Sequence, residues 1–288
     1  MRTRAFLAAT AGLIALACGD GSGPSLPSRT FLMGFSAVPP RLDSTADVIN
    51  AINNWAPHAD AAIFHVSPPW AAMLAGATPD SAVRTVELPL ANYYRAKGLA
   101  IVFTVDATDG LNRAAEAPEL VSAGRSITDT MVQRLYREWV FAVADRIHPE
   151  YLGLAAETNL IRLLAPDSVY QAVVGMTNAV ATQIQSASLS STLYVSVQVE
   201  TAWGHLPPGP YHGIAQDLTD FPFVQAIGLS SYPYLGGFAE PESIPLNYYS
   251  RIAQGTTLPV LVVEGGWSSV SLDRSVCSTV PRPGACFS

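Results

Sequence analysis

Short apolar runs alternate with longer amphipathic stretches from residue 29 to about residue 268 of the chain. The runs are rich in Val, Ile, Leu and Phe and lack strict apolar–polar alternation, which is typical of parallel strands covered on both faces. They predict seven strands, at 31–35, 61–66, 99–105, 151–156, 193–199, 226–230 and 259–263. The pattern therefore indicates an α/β protein with one parallel sheet.

Helical periodicity fills several of the stretches between these runs. In residues 127–146, the apolar side chains of Met131, Leu135, Trp139 and Val143 recur every four positions, which is the stripe of an amphipathic helix. The predicted helices span 44–55, with Ser44 as the N-cap, 79–97, 127–146 and 168–185. The fifth and sixth connections are interrupted by prolines and predict no long helix.

Repeated strand–helix units leave two architectures, an open doubly wound sheet or a closed barrel. The first strand is followed by Ser-Ala-Val-Pro-Pro-Arg and not by a glycine-rich phosphate-binding turn, which disfavours the open sheet. Polar and aromatic residues instead gather after the strands, as they do at the C-terminal face of barrels. The prediction is a (β/α)8 TIM barrel that lacks its eighth β/α unit, because the 24 residues after Glu264 contain no convincing strand.

Composition narrows the possible partners. The chain has 288 residues, 49% of them hydrophobic and 14% charged, which suits one large core. Its formal net charge is −7 and no Lys/Arg cluster appears, so we expect no nucleic-acid partner.

The first residues resemble a bacterial lipoprotein signal. Arg2 and Arg4 precede an apolar run, 5–17, that is too short to span a bilayer and ends directly before Cys18. The resemblance implies a signal peptide over 1–17, a lipidated Cys18 that starts a flexible tether over 18–28, and a barrel domain over 29–288. We expect an exported, envelope-localised protein that meets the membrane through its lipid anchor only; the alternative is an ordinary secretory signal.

The remaining cysteines are Cys277 and Cys286. An exported chain meets oxidising conditions, so a disulfide closing this short loop is plausible. No Cys/His set has the spacing of a structural zinc site, and we expect neither a metal nor another cofactor.

Two glutamates are candidates for catalysis. Glu157 and Glu264 end the fourth and seventh apolar runs, so a barrel would bring both to its mouth. Glycoside hydrolysis commonly uses two carboxyl groups, which lie about 5–5.5 Å apart in retaining enzymes. The pairing therefore predicts glycosidase chemistry, although either glutamate alone is equally consistent with a charge at a helix start.

Three segments carry a family resemblance. They are Leu-Gly-Leu-Ala-Ala-Glu-Thr-Asn at 152–159, Ala-Ile-Gly-Leu-Ser-Ser-Tyr-Pro-Tyr at 226–234, and Pro-Val-Leu-Val-Val-Glu-Gly-Gly-Trp at 259–267. Their order and placement resemble clan A of the glycoside hydrolases, and most closely the endo-β-1,4-galactanase family. The resemblance implies hydrolysis of a β-linked oligo- or polysaccharide by a retaining mechanism.

The resemblance also implies roles for individual residues. Glu157 would be the general acid/base and Glu264 the nucleophile, Tyr232 would hydrogen-bond Glu264, and Trp267 would stack on a sugar ring. Two positions depart from the family pattern. Ala156 stands where the family has an Asn that touches the sugar 2-hydroxyl, and the second-strand Arg is missing, with His65 in that region.

Further polar residues are weaker candidates for substrate binding. Asn159, His65 and Asp106 can line the cleft, although a turn-forming Asp106 and a structural His65 fit the sequence as well. Glu200 is a rival carboxylate of low weight, and Trp70 and Trp203 are sugar platforms or packed loop residues. The departures support an alternative function, a non-catalytic carbohydrate-binding surface lipoprotein on a degenerate barrel. A structural envelope lipoprotein is a third possibility, whereas the absence of Gly-x-Ser-x-Gly disfavours an esterase.

Overall fold

The computed structural model describes residues 29–36, 41 and 44–267. Its helices and strands all belong to one compact unit, Met33–Ser288, and a separate short unit covers Met1–Leu32. The predicted signal peptide and tether, with Cys18, lie outside the described residues, and so does the pair Cys277 and Cys286. Residues 268–288, where the sequence predicts no eighth strand, are also outside them. Within the described part of the chain, no helix is long and apolar enough to cross a membrane.

Seven parallel strands form one sheet, and each strand pairs with its neighbours in sequence. The strands are β1 (Gly34–Ser36), β2 (Ala61–Val66), β3 (Ala100–Val105), β4 (Tyr151–Gly153), β5 (Thr192–Gln198), β6 (Ala226–Ser231) and β7 (Val260–Gly265). The apolar runs predicted all seven, although β1 begins three residues later and β4 ends three residues earlier than expected. His65 of β2 lies 3.3 Å from Glu264 of β7, so the sheet curls until distant strands face each other.

The curl produces a half-barrel with two edges. Among the described residues, β1 pairs only with β2 and β7 pairs only with β6. Val262 of β7 is 56% exposed, which is typical of an edge strand. The observed architecture is thus a seven-stranded, partial form of the predicted (β/α)8 barrel.

Helices connect the strands. They are α1 (Thr45–Trp55), α2 (Trp70–Leu74), α3 (Pro79–Thr85), α4 (Glu87–Ala96), α5 (Pro118–Ser122), α6 (Thr130–Ile147), α7 (Thr158–Leu164), α8 (Asp167–Ser186), α9 (Val199–Ala202), α10 (Ala215–Asp220) and α11 (Tyr248–Ile252), with 3-10 turns at Ala56–His58, Pro233–Gly236 and Pro241–Ser243. The Ser44 side chain accepts a hydrogen bond from the Asp47 backbone, which confirms the predicted N-cap.

The single helix predicted over 79–97 is wrong. The chain forms α3 and α4 instead, with Val86 between them. Pro89 lacks the N–H that would bond to the Thr85 carbonyl, and its ring would clash there, so the helix ends at Thr85 and restarts. Pro89 is tolerated in the first turn of α4, where backbone N–H groups have no partner within the helix.

The helix α6 anchors the end of β4. Leu135, Trp139 and Val143 on its predicted stripe are buried against the sheet, where the Trp139 ring lies 5.9 Å from that of Phe103. The hydroxyl of Tyr136 donates a hydrogen bond to the Leu154 carbonyl directly after β4. This contact fixes the backbone that leads to Glu157.

One tyrosine fills the interior of the half-barrel. The Tyr194 side chain of β5 is fully buried, and its hydroxyl lies 2.5 Å from the hydroxyl of Thr104 on β3. The ring lies against glycines on both neighbouring strands: a Cβ at Gly153 would be 2.5 Å from it, and one at Gly228 would be 2.7 Å away. Both positions therefore need glycine for the ring to fit.

Candidate active site

Five polar residues meet at one end of the sheet. His65 lies on β2, Asp106 directly follows β3, Glu157 follows β4, Tyr232 directly follows β6, and Glu264 lies on β7. The carboxyl ends of parallel strands share one edge, which is where barrel sites are built. The five residues, all candidates from the sequence, belong to one connected group.

The backbone at Glu157 has a left-handed conformation. After β4 the chain stays bonded to its neighbours, since the Ala156 N–H donates to the Val105 carbonyl at 3.0 Å. Glu157 then adopts φ 50° and ψ 48° and begins α7. This conformation costs a non-glycine residue about 1–2 kcal/mol, and such outliers cluster at functional sites.

The Glu157 side chain is held by donors on both of its oxygens. Oε1 accepts a hydrogen bond from Ser230 Oγ at 2.8 Å, and Oε2 accepts one from Arg113 Nε at 2.8 Å. Its backbone N–H also donates to Ser196 Oγ at 2.9 Å. Glu157 is only 8% exposed, so this carboxylate is rigidly positioned.

Arg113 is a central residue of the site that the sequence did not predict, as is Ser230. It comes from the loop between β3 and α5, where its Nη1 lies 2.6 Å from Asp106 Oδ1 while its Nε binds Glu157. The residue is 4% exposed, so two carboxylates and one guanidinium form a buried ion cluster. A loop arginine without helical or strand periodicity gave no signal of this pairing across 44 positions.

Asp106 links Arg113 to His65. Its Oδ1 also lies 3.0 Å from His65 Nε2. Burial opposes ionisation of Asp106, but the charges and hydrogen bonds of Arg113 and His65 outweigh it and lower its pKa to about 2. Burial alone would lower the pKa of His65, yet the hydrogen bond and charge of Asp106, with the charge of Glu264, raise it above its usual value.

An irregularity in β7 places Glu264. Leu229 of β6 pairs with Val262, whereas the next residue, Ser230, pairs with Glu264, so one residue of β7 is skipped. Bulges of this kind re-aim side chains and are enriched next to active sites. Val263 is buried, and Glu264 follows it with a side chain that is 24% exposed.

The contacts of Glu264 agree with one predicted role. The Tyr232 hydroxyl donates a hydrogen bond to Glu264 Oε1 at 2.6 Å, which is the predicted contact. Glu264 Oε2 lies 3.3 Å from His65 Nδ1 without hydrogen-bond geometry, and no described residue hydrogen-bonds this oxygen. Burial and the charge of Glu157 raise the pKa of Glu264, against the opposing charge of His65. The two glutamates are therefore coupled electrostatically.

Asn159 and Ala156 contact other parts of the protein and contribute little to the cleft. The Asn159 amide donates to the Gln198 carbonyl at 2.9 Å, and its oxygen accepts from the backbone N–H groups of Gln198 and Leu160. Most of its hydrogen-bonding capacity thus holds α7 against the end of β5, which disfavours the predicted substrate contact. Ala156 is fully buried and presents no group to the cleft.

Glu200 is held by four donors and has no exposed surface. The donors are Gln198 Nε2, Ser231 Oγ, the Tyr232 backbone N–H and Tyr248 Oη. Burial raises its pKa, in spite of these bonds. The contacts indicate a structural carboxylate that ties α9 and α11 to the end of β6.

The tryptophan candidates differ in exposure. Trp70 is fully buried and belongs to the core, so it is no sugar platform. Trp203 stacks on Tyr248, with ring centroids 5.2 Å apart, and Arg251 lies 4.6 Å from its ring. Trp267 is 37% exposed and close to Tyr234, with ring centroids 6.0 Å apart. Of the three, Trp267 has the surface that stacking on a sugar requires.

The charges of the site come mostly from carboxylates. Asp106, Glu157 and Glu264 face one permanent cation, Arg113, and the titratable His65. Within the described residues, no group of three or more His, Cys, Asp or Glu side chains could hold a metal ion. The arrangement is suited to proton transfer and to stabilising positive charge that develops in a bound molecule.

The fold and the site define a class, a partial (β/α) barrel with paired carboxylates at the C-terminal ends of its strands. No family model and no curated protein sequence matches the chain. Among solved structures, the exo-β-1,4-mannosidase Op5Man5 from Opitutaceae bacterium strain TAV5 is similar, with a TM-score of 0.57 and 13% identity over 82% of this chain and 46% of that chain.

The β-glucosidase from Thermotoga maritima, in complex with noeuromycin, is a second similar structure. It gives a TM-score of 0.43 and 10% identity, over 64% of this chain and 52% of that chain. The chain thus spans about half the length of these solved structures. The likeness to the mannosidase shows a shared barrel fold.

Proposed function

We propose that the protein is a glycoside hydrolase that cleaves a β-linked oligo- or polysaccharide by a retaining mechanism. One observation carries the proposal: Glu157 and Glu264, at the ends of β4 and β7, belong to one network of hydrogen bonds and charges at the C-terminal edge of the sheet. Two carboxyl groups that reach the same glycosidic bond are what this cleavage requires.

Each glutamate has surroundings that fit a different step. Glu264 acts as the nucleophile that attacks the anomeric carbon, and Tyr232 orients its Oε1. Glu157 protonates the leaving oxygen and then activates the water that releases the product. Each Glu157 oxygen accepts one hydrogen bond in the free protein and keeps a second lone pair, so Glu157 must take up a proton there before it can protonate the leaving oxygen.

The substrate class rests on two independent similarities. The mannosidase with the shared fold acts on β-1,4 linkages, as its name states. The three segments around Glu157, Tyr232 and Glu264 resemble endo-β-1,4-galactanases. We therefore propose a β-1,4-linked hexose polymer, galactan or mannan, as the first substrate to assay.

Hydrolysis of a panel of β-glycans by the purified protein tests the proposal. Wild-type protein should release reducing sugar from at least one glycan, and Glu264→Ala should lower kcat by about 10⁴-fold or more. Glu242→Ala, a change at an exposed glutamate, is the matched control and should leave kcat unchanged. Proton NMR of the first product should show the anomeric configuration of the substrate; an inverted product would exclude the retaining mechanism. Full activity in Glu264→Ala would remove this residue from the reaction.

A non-catalytic carbohydrate-binding protein is the second candidate. The observation that favours it is the engagement of both Glu157 oxygens by Ser230 and Arg113 in a residue that is 8% exposed. Calorimetry with the same glycans distinguishes the candidates. Binding without release of reducing sugar would support the second function.

We also propose export and lipid anchoring through Cys18, which rest on the N-terminal sequence. Incorporation of radiolabelled palmitate into the wild-type chain and its loss in Cys18→Ala would support the anchor. Labelling that persists in Cys18→Ala would contradict it.

A further inference from the structure

His65 stands between two carboxylates. Its Nε2 lies 3.0 Å from Asp106 Oδ1, and its Nδ1 lies 3.3 Å from Glu264 Oε2. The side chain is 21% exposed, so solvent screens these interactions only in part. Both ring nitrogens therefore face oxygen atoms that accept protons.

The hydrogen-bonding capacity of the imidazole limits the protonation states that Asp106, His65 and Glu264 can adopt together. A neutral imidazole carries one N–H and one lone pair, whereas the imidazolium carries an N–H on both nitrogens. With neutral His65 and two ionised carboxylates, a lone pair would face a negatively charged oxygen. One additional proton, on His65 or on Glu264, removes that repulsion.

Asp106 is excluded as the holder of this proton. Its Oδ1 also lies 2.6 Å from Arg113 Nη1, and its pKa is lowered to about 2. Asp106 thus remains ionised at neutral pH and fixes an N–H on the Nε2 of His65. The additional proton is therefore carried either by His65 or by Glu264.

The other charged groups around the trio do not replace His65. Arg113, from the loop after β3, lowers the pKa of both His65 and Glu264 through its charge, but its hydrogen bonds go to Asp106 and Glu157. Glu157 acts on Glu264 with the opposite sign. The Tyr232 hydroxyl donates to Glu264 without adding charge. Only His65 places a titratable positive charge next to Glu264 Oε2 among the residues described.

We propose that His65 is a positioning residue that, as an imidazolium, supplies the counter-charge for Glu264 and makes the reactivity of this nucleophile dependent on pH. This inference rests on the proposed glycosidase function. As the pH rises and the imidazolium of His65 loses its proton, Glu264 loses its neighbouring cation and faces a lone pair, so its placement relaxes and turnover falls.

An NMR titration of the imidazole carbons of His65 tests the charge coupling without any activity. The pKa of His65 in the wild-type protein should lie above that of a free histidine and should fall in Glu264→Gln, which removes the negative charge and keeps the shape. Glu242→Gln, at an exposed glutamate, is the matched control and should leave the titration unchanged. An identical His65 titration in Glu264→Gln and wild type would overturn the inference.

Steady-state kinetics test the consequence for turnover. His65→Gln should lower kcat by about 100-fold with a smaller effect on KM, because it misplaces the nucleophile. His65→Arg should restore activity and move the alkaline limb of the pH profile upward, since guanidinium stays charged. Circular dichroism of each variant establishes that it is folded. His65→Gln with wild-type kcat and an unchanged pH profile would also overturn the inference.

The two tests separate the inference from the proposed function. A His65 titration that responds to Glu264→Gln in a protein with no hydrolase activity would refute the proposed function and leave the charge coupling in place. Hydrolysis that needs Glu264 but is insensitive to His65 would refute the inference and leave the proposed function in place.

Discussion

The ends of β4 and β7 hold their glutamates in opposite ways. Glu157 follows a strand with partners on both sides, adopts a left-handed backbone and has both oxygens bound by protein donors. Glu264 lies on a strand that pairs only with β6 in the described chain, and one hydrogen bond and one ion-pair contact hold its side chain. The difference teaches that the two carboxylates are held unequally: Glu157 is fixed on both oxygens, whereas Glu264 has fewer contacts and can adjust its position.

Removing Arg113, which holds Glu157, should cause the largest loss in the free energy of unfolding. Arg113→Met leaves the buried carboxylates of Asp106 and Glu157 without their cation, and breaking a buried ion pair in this way typically costs about 3–5 kcal/mol. Chemical denaturation should show this loss in the free energy of unfolding. Arg134→Met, which removes an exposed helical ion pair, is the control and should cost less than about 1 kcal/mol. Equal effects of the two changes would contradict the buried ion cluster.

Acid should weaken the same cluster through Asp106. The pKa of Asp106 is about 2 in the folded protein against a usual value of 3.8. A lowered pKa stabilises the folded state above the usual value, and that stabilisation, about 2–3 kcal/mol, is lost as pH falls from about 4 to 2. Denaturation at several pH values should show this slope, and Asp106→Asn should flatten it. A wild-type slope that is unchanged in the variant would assign acid sensitivity elsewhere.

The contribution of His65 to the stability of the folded protein changes with pH in the opposite direction. Its pKa is raised in the folded protein, so the stabilisation is present at pH values below its usual pKa and is lost as pH rises through the folded value. The cluster as a whole is therefore most stable between the two transitions, at mildly acidic pH.

A change in the packing of the Tyr194 ring should have the next largest effect on stability. Gly153→Ala places a Cβ 2.5 Å from the Tyr194 ring, and overpacking of a core typically costs about 1–3 kcal/mol. Gly175→Ala, in α8 with open space around it, is the control and should stabilise the protein by up to about 1 kcal/mol. Thermal unfolding of both variants checks the contrast; similar melting temperatures would mean that the ring moves aside freely.

Removing a single hydroxyl donor should have the smallest effect on stability. Two such changes compare Glu157 and Glu264 directly. Ser230→Ala leaves a Glu157 oxygen without its donor in a buried place and should cost about 1–3 kcal/mol. Tyr232→Phe removes the donor of the more exposed Glu264 and should cost about 1 kcal/mol or less, while lowering kcat. If Tyr232→Phe proves the more destabilising change, the assignment of rigid and adjustable ends is reversed.

The sequence predicted the strands and the two glutamates but, apart from the Tyr232 contact, not the side chains that hold the glutamates in place. Apolar runs are visible because strands buried on both faces need them, and a glutamate at the end of such a run has a fixed place on the barrel. The partnership of Tyr232 with Glu264 followed from a family resemblance. Pro89 in the predicted helix over 79–97 was a readable signal of the break that the structure shows.

The role of Arg113 was not readable, because its loop has no periodicity and its two partners lie on other segments. The role of Asn159 was not readable for the same reason. The hydrogen bonds from its side-chain amide to the backbone of β5 depend on how α7 packs. Pairings of this kind are decided by tertiary structure. Patterns along a chain predict the strand ends at which such side chains lie, but they do not predict which residues those side chains contact.

The Tyr194 ring between Gly153 and Gly228 has a consequence for how any polymer can approach. The ring fills the interior of the half-barrel between β3, β4 and β6, so it leaves no passage there along the barrel axis. A polymer of the proposed class would have to lie across the carboxyl ends of the strands, with both of its ends in solvent, and its fragments would depart from the side on which they entered.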